Sequence, residues 1–264
     1  MKIVALVENT SKTDLKAKHG LSLYIETPNH KLLFDVGPDD TLFHNAEKRG
    51  VDLASIDTVV ISHGHFDHGG ALGAFLNRNH TARVYIQRSA FVPHYNKTGL
   101  LRLPIGLDAS LADHSQVMLL DGDTKIDDEL SVFTVSDTSK CHSPMNDVLC
   151  DDKGRDNFSH EQNLLIAGEK PVLITGCGHT GIVNIMEKAA ALHPAVCVGG
   201  FHLFNPVLRK TAPDALLNEI ADVLKGYDET VFYTCHCTGE KAFRLLSEKA
   251  ENVRYLACGD MLMV

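Results

Sequence analysis

Four side chains that bind metals in proteins lie within six consecutive positions of the sequence: His63, His65, Asp67 and His68. They follow an apolar run, residues 56–61, that is typical of a buried strand. Imidazole and carboxylate groups are ligands of zinc, iron and manganese. In an extended segment His63 and His65 point to the same side and can reach one ion, whereas Asp67 and His68, beyond the start of the turn, can reach a second. The alternative is a polar surface cluster at a strand end, but four such side chains at this density favour a metal site.

The motif His63-x-His65-x-Asp67-His68 resembles the ligand motif of the metallo-β-lactamase superfamily. Five further stretches resemble one branch of it, which contains metal-dependent hydrolases and proteins similar to 7,8-dihydropterin-6-methyl-4-(β-D-ribofuranosyl)-aminobenzene-5'-phosphate synthase: residues 19–26, 33–37, 175–182, 199–203 and 235–239. The resemblance covers almost the whole chain. It implies an α/β (α+β) fold, the four-layer αββα sandwich, and two divalent metal ions, with zinc favoured and manganese or iron as alternatives.

The resemblance also implies that two later histidines, His179 and His236, complete the ligand set. Each follows an apolar strand and precedes a helix, as the first motif does. Cys177 stands where many members of the superfamily have an aspartate that bridges two metals, so a bridging carboxylate is in doubt here. Its thiolate would be a soft ligand that favours zinc, and the alternative is a small buried cysteine that packs the turn.

The remaining candidate residues have more than one interpretation. His202 is a candidate catalytic residue, with a ligand or a buried core histidine as alternatives, and Asp67 is the candidate that transfers protons. Asp35 ends a strand beside the motif and could orient His63 or His65 through the far ring nitrogen. His160 or Glu161 could complete the ligand shell. Two cysteines flank His236 and would point away from it in an extended segment, so we expect them to pack rather than bind metal: Cys235 and Cys237.

Hydrophobic periodicity predicts strands and helices in two successive groups, which suggests a duplicated architecture without a repeat in the sequence. Strands are predicted over residues 2–7, 19–26, 31–35, 56–61, 84–86, 130–135, 164–167, 171–175, 195–198 and 230–233. Helices are predicted over residues 42–49, 71–76, 182–192, 212–225 and 239–249. Residues 89–127 show little periodicity and are predicted to be an insertion, either a lid or a surface loop, within a single domain over residues 1–264. The loop over residues 137–162 is too long to be structureless without a reason.

Composition limits the compartment and the partners. The net charge of −9 argues against a nucleic-acid partner, which needs a basic surface. No apolar stretch approaches 18 residues, so no membrane-spanning helix is expected. Seven cysteines without regular spacing and no export signal are typical of reduced thiols in the cytoplasm. We expect a small-molecule substrate, and the sequence says little about oligomeric state.

Three functions follow from these expectations. The first is a hydrolase in which two metal ions activate a water molecule towards a small anionic or cyclic substrate, such as a phosphodiester or lactone. The second is a transferase that joins a dihydropterin to a ribofuranosyl-aminobenzene phosphate, as the branch name suggests. The third is a redox or non-catalytic module that binds iron. Turnover without a second substrate distinguishes the first from the second, and colour with redox activity indicates the third.

Overall fold

The computed structural model describes all 264 residues. Nineteen strands are numbered in chain order: Lys2–Val7 (β1), Ser22–Glu26 (β2), Lys31–Phe34 (β3), Thr58–Val60 (β4), Arg83–Gln87 (β5), His94–Thr98 (β6), Leu101–Pro104 (β7), Val117–Leu120 (β8), Thr124–Lys125 (β9), Leu130–Phe133 (β10), Leu149–Asp151 (β11), Asn163–Ile166 (β12), Val172–Ile174 (β13), Val196–Gly199 (β14), Phe204–Asn205 (β15), Lys210–Thr211 (β16), Val231–Thr234 (β17), Val253–Tyr255 (β18) and Met261–Met263 (β19). Six α-helices accompany them: Thr41–Arg49 (α1), Phe66–Gly69 (α2), Leu72–Leu76 (α3), Ile182–Ala189 (α4), Asp214–Lys225 (α5) and Glu240–Lys249 (α6). None of the helices is both long enough and apolar enough to cross a membrane.

Two sheets of seven strands contain most of these elements. The first sheet has the order β19-β1-β2-β3-β4-β5-β8, and the second has the order β18-β17-β14-β13-β12-β10-β9. The strands β3, β4, β5 and β8 run parallel to one another, as do β13, β14, β17 and β18. Each sheet therefore has a block of parallel strands whose carboxyl ends lie at one edge.

The sheets pack face to face, and helices cover both outer faces. Alternate residues of β1 show this arrangement, because Ile3 belongs to the apolar cluster between the sheets and Val4 to the cluster beneath the helices. The helices α1 and α3 cover the first sheet through Leu42 and Phe75, and α4, α5 and α6 cover the second. The predicted αββα sandwich is confirmed.

The predicted elements are present, with shifted ends. The strand predicted to begin at His19 begins at Ser22, because the preceding loop packs against the motif over residues 63–68: Leu21 N donates a hydrogen bond to Asp67 O at 3.2 Å. The helix predicted to extend to Leu192 ends at Ala189 and continues as a 3₁₀ turn.

The segment over residues 89–127 contains more structure than its sequence indicates. Strands β8 and β9 are edge strands of the two large sheets, and β6 and β7 form a hairpin that pairs with β11 in a separate three-stranded sheet. Its role as a lid stays a prediction. The long loop over residues 137–162 contributes β11 and a 3₁₀ turn, Pro144–Val148.

Candidate metal centre

The candidate residues lie in loops at the carboxyl ends of parallel strands from both sheets. In the first sheet, Asp35 follows β3 and the motif over residues 63–68 follows β4. In the second sheet three loops supply the others: Cys177 and His179 follow β13, His202 follows β14, and His236 follows β17. The carboxyl ends of parallel strands are where open α/β sheets bind ligands.

Asp35 fixes the start of the motif. It is fully buried and has a left-handed backbone conformation, with φ of 58°. Its carboxylate accepts hydrogen bonds from Ser62 N and Ser62 Oγ, both at 2.7 Å, and lies 2.6 Å from His68 Nδ1. Because Ser62 Oγ donates to Asp35, it can accept from His63 Nδ1, which is 2.8 Å away. The expectation that Asp35 orients His63 or His65 directly was wrong: its direct partner is His68, and it reaches His63 through Ser62.

A first group of donor atoms consists of His63, His65 and His179. His63 Nε2 lies 3.0 Å from His65 Nδ1, and one ring nitrogen from each of the three lies within 4.8 Å of the others. His179 Nδ1 is 2.9 Å from Asn146 Oδ1, while the amide nitrogen of Asn146 donates to His179 O at 2.8 Å. This pair of contacts places the proton of His179 on Nδ1. Its Nε2 therefore has a free lone pair and is buried without a partner.

A second group consists of Asp67, His68, Cys177 and His236. His68 Nε2 lies 3.2 Å from His236 Nε2 and 3.2 Å from Cys177 Sγ, and Asp67 Oδ2 is 3.3 Å from His236 Nε2. The far nitrogen of each ring faces an acceptor, since His68 Nδ1 faces Asp35 and His236 Nδ1 lies 2.9 Å from Asn9 Oδ1. Both Nε2 atoms therefore point lone pairs at one another.

Both groups fit a metal ion in chemistry and spacing. Imidazole nitrogens, a carboxylate and a thiolate are ligands of zinc, and ring nitrogens that bind one tetrahedral zinc lie about 3.3 Å apart. The observed separations of 3.0 and 3.2 Å are close to that value. Lone pairs that face each other in a buried space are unfavourable unless a cation lies among them.

The pKa shifts agree with this interpretation. Burial lowers the pKa values of His63, His65 and His179 well below the ordinary value, and neighbouring imidazoles add to the effect, so these rings are neutral and their lone pairs are available. Burial also opposes the charging of His68, but the adjacent carboxylates of Asp35 and Asp67 outweigh it and raise the pKa of His68. The second group therefore attracts positive charge.

A pocket of about 330 Å³ opens over both groups. His202 lies in its wall with a left-handed backbone, φ of 44°, and neither of its ring nitrogens has a hydrogen-bond partner. His19, at the rim, places Nε2 3.3 Å from Asp67 Oδ2. The rest of the lining is apolar or uncharged, and no lysine or arginine belongs to it: Phe66, Asn96, Ile105, Leu149, Asn205, Pro206 and Val207.

Three neighbours of the site differ from expectation. Glu161 is fully buried, but its carboxylate accepts hydrogen bonds from His179 N, Thr180 N and Thr180 Oγ1, so it anchors the loop after β13 instead of facing the donor groups. Burial raises the pKa of Glu161, although these donors oppose the shift. His160 also has both ring nitrogens hydrogen-bonded, to Gly64 N and to Asp156, which disfavours its role as a ligand.

The orientation expected for Cys237 was also wrong. Its Sγ lies among the donor atoms of Cys177 and His236, and it accepts a hydrogen bond from His202 N at 3.3 Å. The left-handed φ of 50° at His236 breaks the extended alternation on which the expectation rested. Cys235 packs between the sheets, as expected.

Sequence reasoning missed three residues that contact the far nitrogens of the candidate ligands: Asn9, Ser62 and Asn146. Ser62 had a signal, because a hydroxyl directly before a metal-binding histidine can orient that ring. The other two are asparagines that are distant in sequence from the histidines they contact. Their sequence context contains no sign of the long-range contacts that they make.

Comparisons with known proteins agree with this geometry. The profile described as the metallo-beta-lactamase superfamily matches residues 16–145. MJ0448, an uncharacterised protein of Methanocaldococcus jannaschii, is 30% identical over 250 residues, which are 93% of this chain and 94% of that protein. Another protein of that organism, named 7,8-dihydropterin-6-methyl-4-(β-D-ribofuranosyl)-aminobenzene-5'-phosphate synthase, is 25% identical over 99% of this chain and 96% of its own.

Among solved structures, this chain is similar to Tm1679, described as a metal-dependent hydrolase of the β-lactamase superfamily. The TM-score is 0.84 with 26% sequence identity, and the match covers 100% of this chain and 99% of that one. Fold, donor groups and relatives thus agree, and the chain belongs to the metallo-β-lactamase superfamily.

Proposed function

We propose that this protein is a metal-dependent hydrolase with two divalent ions, zinc being favoured, that acts on a small anionic or cyclic substrate of the phosphodiester or lactone class. The observation that carries the proposal is the pair of buried donor groups beneath one pocket. His63, His65 and His179 would hold one ion, and Asp67, His68 and His236 the other, with Cys177 as a further candidate ligand in the second group. Bound divalent ions would supply a Lewis acid for a carbonyl or phosphoryl oxygen and lower the pKa of a water molecule.

We assign proton transfer to one side chain of the pocket and substrate binding to another. Asp67 Oδ2 lies at the floor of the pocket, 3.3 Å from both His19 Nε2 and His236 Nε2, and we assign to it the transfer of the nucleophile's proton to the leaving group. His202 has two unpartnered ring nitrogens in the pocket wall, so it can hydrogen-bond the reacting group of a substrate.

The pocket supports a small substrate. Its volume of about 330 Å³ is at the lower end of the range for ligand sites, about 300–1,000 Å³. Because it is lined by no lysine or arginine, a negative charge on the substrate would be neutralised by the metal ions. The apolar wall near Phe66 and Val207 would contact an uncharged part of the substrate.

We also propose that the protein is cytoplasmic. All seven cysteines are free thiols, which supports this location.

A synthase is the second candidate, because a relative 25% identical over nearly the whole chain is named as one. In that case the same ions would bind the phosphate or diphosphate group that leaves when a dihydropterin is joined to a ribofuranosyl-aminobenzene phosphate. Product would then form only when both substrates are present.

The first experiment is elemental analysis of protein that was freed of metal and reloaded with zinc. We expect about two equivalents in the wild type and a loss in both His65→Ala and His236→Ala. His80→Ala, an exposed histidine with no hydrogen bond, is the matched control and should retain the full content. A wild type that takes up no metal would refute the proposed function.

The second experiment uses the loaded protein with bis(p-nitrophenyl) phosphate and a panel of lactones, each alone. Turnover that disappears with a chelator and in Asp67→Asn supports the hydrolase. Product formed only from a dihydropterin together with ribofuranosyl-aminobenzene phosphate would instead support the synthase and refute the hydrolase.

A further inference from the structure

A buried polar cluster lies next to His65 and contains none of the other residues of the first donor group. It consists of His94 from β6 and of Asp156 and His160 from the loop before β12, and each is at least 95% buried. One nitrogen or oxygen atom from each of these residues and from His65 lies within 4.8 Å of the others. The three residues come from segments about 30 to 100 positions away from the motif in sequence.

Hydrogen bonds determine where the protons of this cluster lie. Gly64 N donates to His160 Nδ1 at 2.9 Å, so the proton of His160 is on Nε2, which lies 3.2 Å from Asp156 Oδ2. The same oxygen lies 2.9 Å from His94 Nδ1 and accepts its proton. His94 Nε2 therefore has a free lone pair.

Two buried nitrogens in this region have no hydrogen-bond partner, and they belong to His94 and His65. Both are the Nε2 atoms. The ring centroids lie 5.6 Å apart and the planes are nearly perpendicular, at 79°. If His65 binds a metal through Nδ1, its proton must lie on Nε2, and that proton needs an acceptor.

We propose that His94 is a positioning residue that accepts the Nε2 proton of His65 and so holds Nδ1 of His65 towards the metal. The chain of contacts is then Asp156, His94, His65 and the ion, which rests on the proposed function of the site.

The backbone supports the same role. Besides Gly64 N, which donates to His160, the α-carbon of Gly64 lies close to His94: a Cβ there would be 2.7 Å from His94 Nε2 and 2.4 Å from Ala90 O. Glycine is therefore required between the two histidines of the motif. The cluster fixes the main chain of the motif through His160 and the ring of its second histidine through His94.

Two substitutions separate this role from simple packing. In His94→Asn the amide nitrogen can replace Nδ1 and keep the bond to Asp156, but nothing replaces the acceptor at Nε2. In His94→Gln the longer side chain can place an acceptor oxygen near the Nε2 position and gives up the Asp156 bond. The positioning role predicts that Asn is the more harmful substitution for zinc binding, whereas a role limited to holding Asp156 predicts the reverse.

The experiment is a competition titration of metal-free protein with zinc and a chromophoric chelator. We expect zinc affinity at the first site to fall about 10–100-fold in His94→Asn and by less than about tenfold in His94→Gln, with no change in His80→Gln. Thermal melting of the metal-free variants checks that both are folded. In the zinc-loaded wild type, the Nε2 proton of His65 should give an exchange-protected NMR signal that is lost in His94→Asn.

The outcomes distinguish this inference from the proposed function. Wild-type zinc affinity in folded His94→Asn, a larger loss in His94→Gln, or an unprotected Nε2 proton in the wild type would each overturn the positioning role while the hydrolase proposal stands. A third equivalent of zinc that both variants lose would show that the cluster itself binds metal and would also overturn it. A wild type that binds no zinc would refute the proposed function, and this inference with it.

Discussion

Replacing Asp35 by asparagine should move the ring proton of His68 from Nδ1 to Nε2, because asparagine has the shape of aspartate but places a donor where an acceptor was. The carboxylate accepts from Ser62 N at Oδ1 and from both Ser62 Oγ and His68 Nδ1 at Oδ2. Asparagine keeps an oxygen for Ser62 N but places an NH₂ group, which can only donate, where Oδ2 was. His68 Nδ1 must then accept, so the ring proton moves to Nε2. That atom faces Cys177 and His236, and once protonated it cannot bind a metal.

The size of the effect follows from these contacts. Removing a partner that orients a metal-binding histidine typically lowers metal affinity about 10–100-fold, which corresponds to roughly 1.4–2.8 kcal/mol. The pKa of His68, which the adjacent carboxylates raise against the effect of burial, should fall in the variant. The first donor group should be affected less, because Asp35 reaches His63 only through Ser62 Oγ.

Zinc titration of metal-free Asp35→Asn in competition with a chelator measures both sites. We expect one site near wild-type affinity and one weakened by the stated factor. Asp52→Asn is the control, since that carboxylate caps a 3₁₀ turn through Ala54 N and lies away from the site. If folded Asp35→Asn binds two equivalents with wild-type affinity, the reasoning about the His68 proton is wrong.

Two further predictions concern stability. Glu161→Gln removes a carboxylate that accepts three buried hydrogen bonds. The free energy of unfolding, measured by urea denaturation, should therefore fall by about 1–3 kcal/mol. An unchanged denaturation midpoint would contradict this prediction. His30 lies 2.9 Å from both Asp57 and Asp127; burial opposes its charging, but these carboxylates outweigh it and raise the pKa of His30. A raised folded pKa gives stability that is full below the ordinary pKa of about 6.5 and is lost as the pH rises through the folded value. His30→Gln should therefore be less stable than the wild type by up to about 1 kcal/mol below that pH, with the difference disappearing in alkaline buffer; a difference independent of pH would contradict the assignment.

Local patterns in the sequence predicted the strands, the helices and the cluster of candidate ligands over residues 63–68. The αββα sandwich and the roles of His179 and His236 were implied by the resemblance to the superfamily. A short apolar run that ends in glycine and histidine identifies a strand and the loop at its carboxyl end, as for His63 and His179. Strands β6, β7 and β11 lacked such patterns, because their residues are largely polar or exposed and β11 pairs with β6 over a long distance in sequence.

Details of orientation could not be predicted for a different reason. The extended alternation used for Cys237 fails where the backbone turns left-handed, as at Asp35, His202 and His236. Non-glycine residues rarely adopt this conformation, so a sequence alone gives no reason to expect it at an aspartate or a histidine. The partners Asn9 and Asn146 are likewise fixed only by the folded chain, since each contacts a histidine that is distant in sequence.

Each donor group combines residues from both sheets, so an ion bound there would cross-link the two layers of the protein. His63 and His65 follow a strand of the first sheet and His179 follows a strand of the second, and His68 and His236 are divided in the same way. A ligand that binds only the folded state adds about 2.7 kcal/mol to its stability at a free concentration 100 times its dissociation constant. The metal-free protein would lack this stabilisation and would be cleaved faster by proteases than the metal-bound protein.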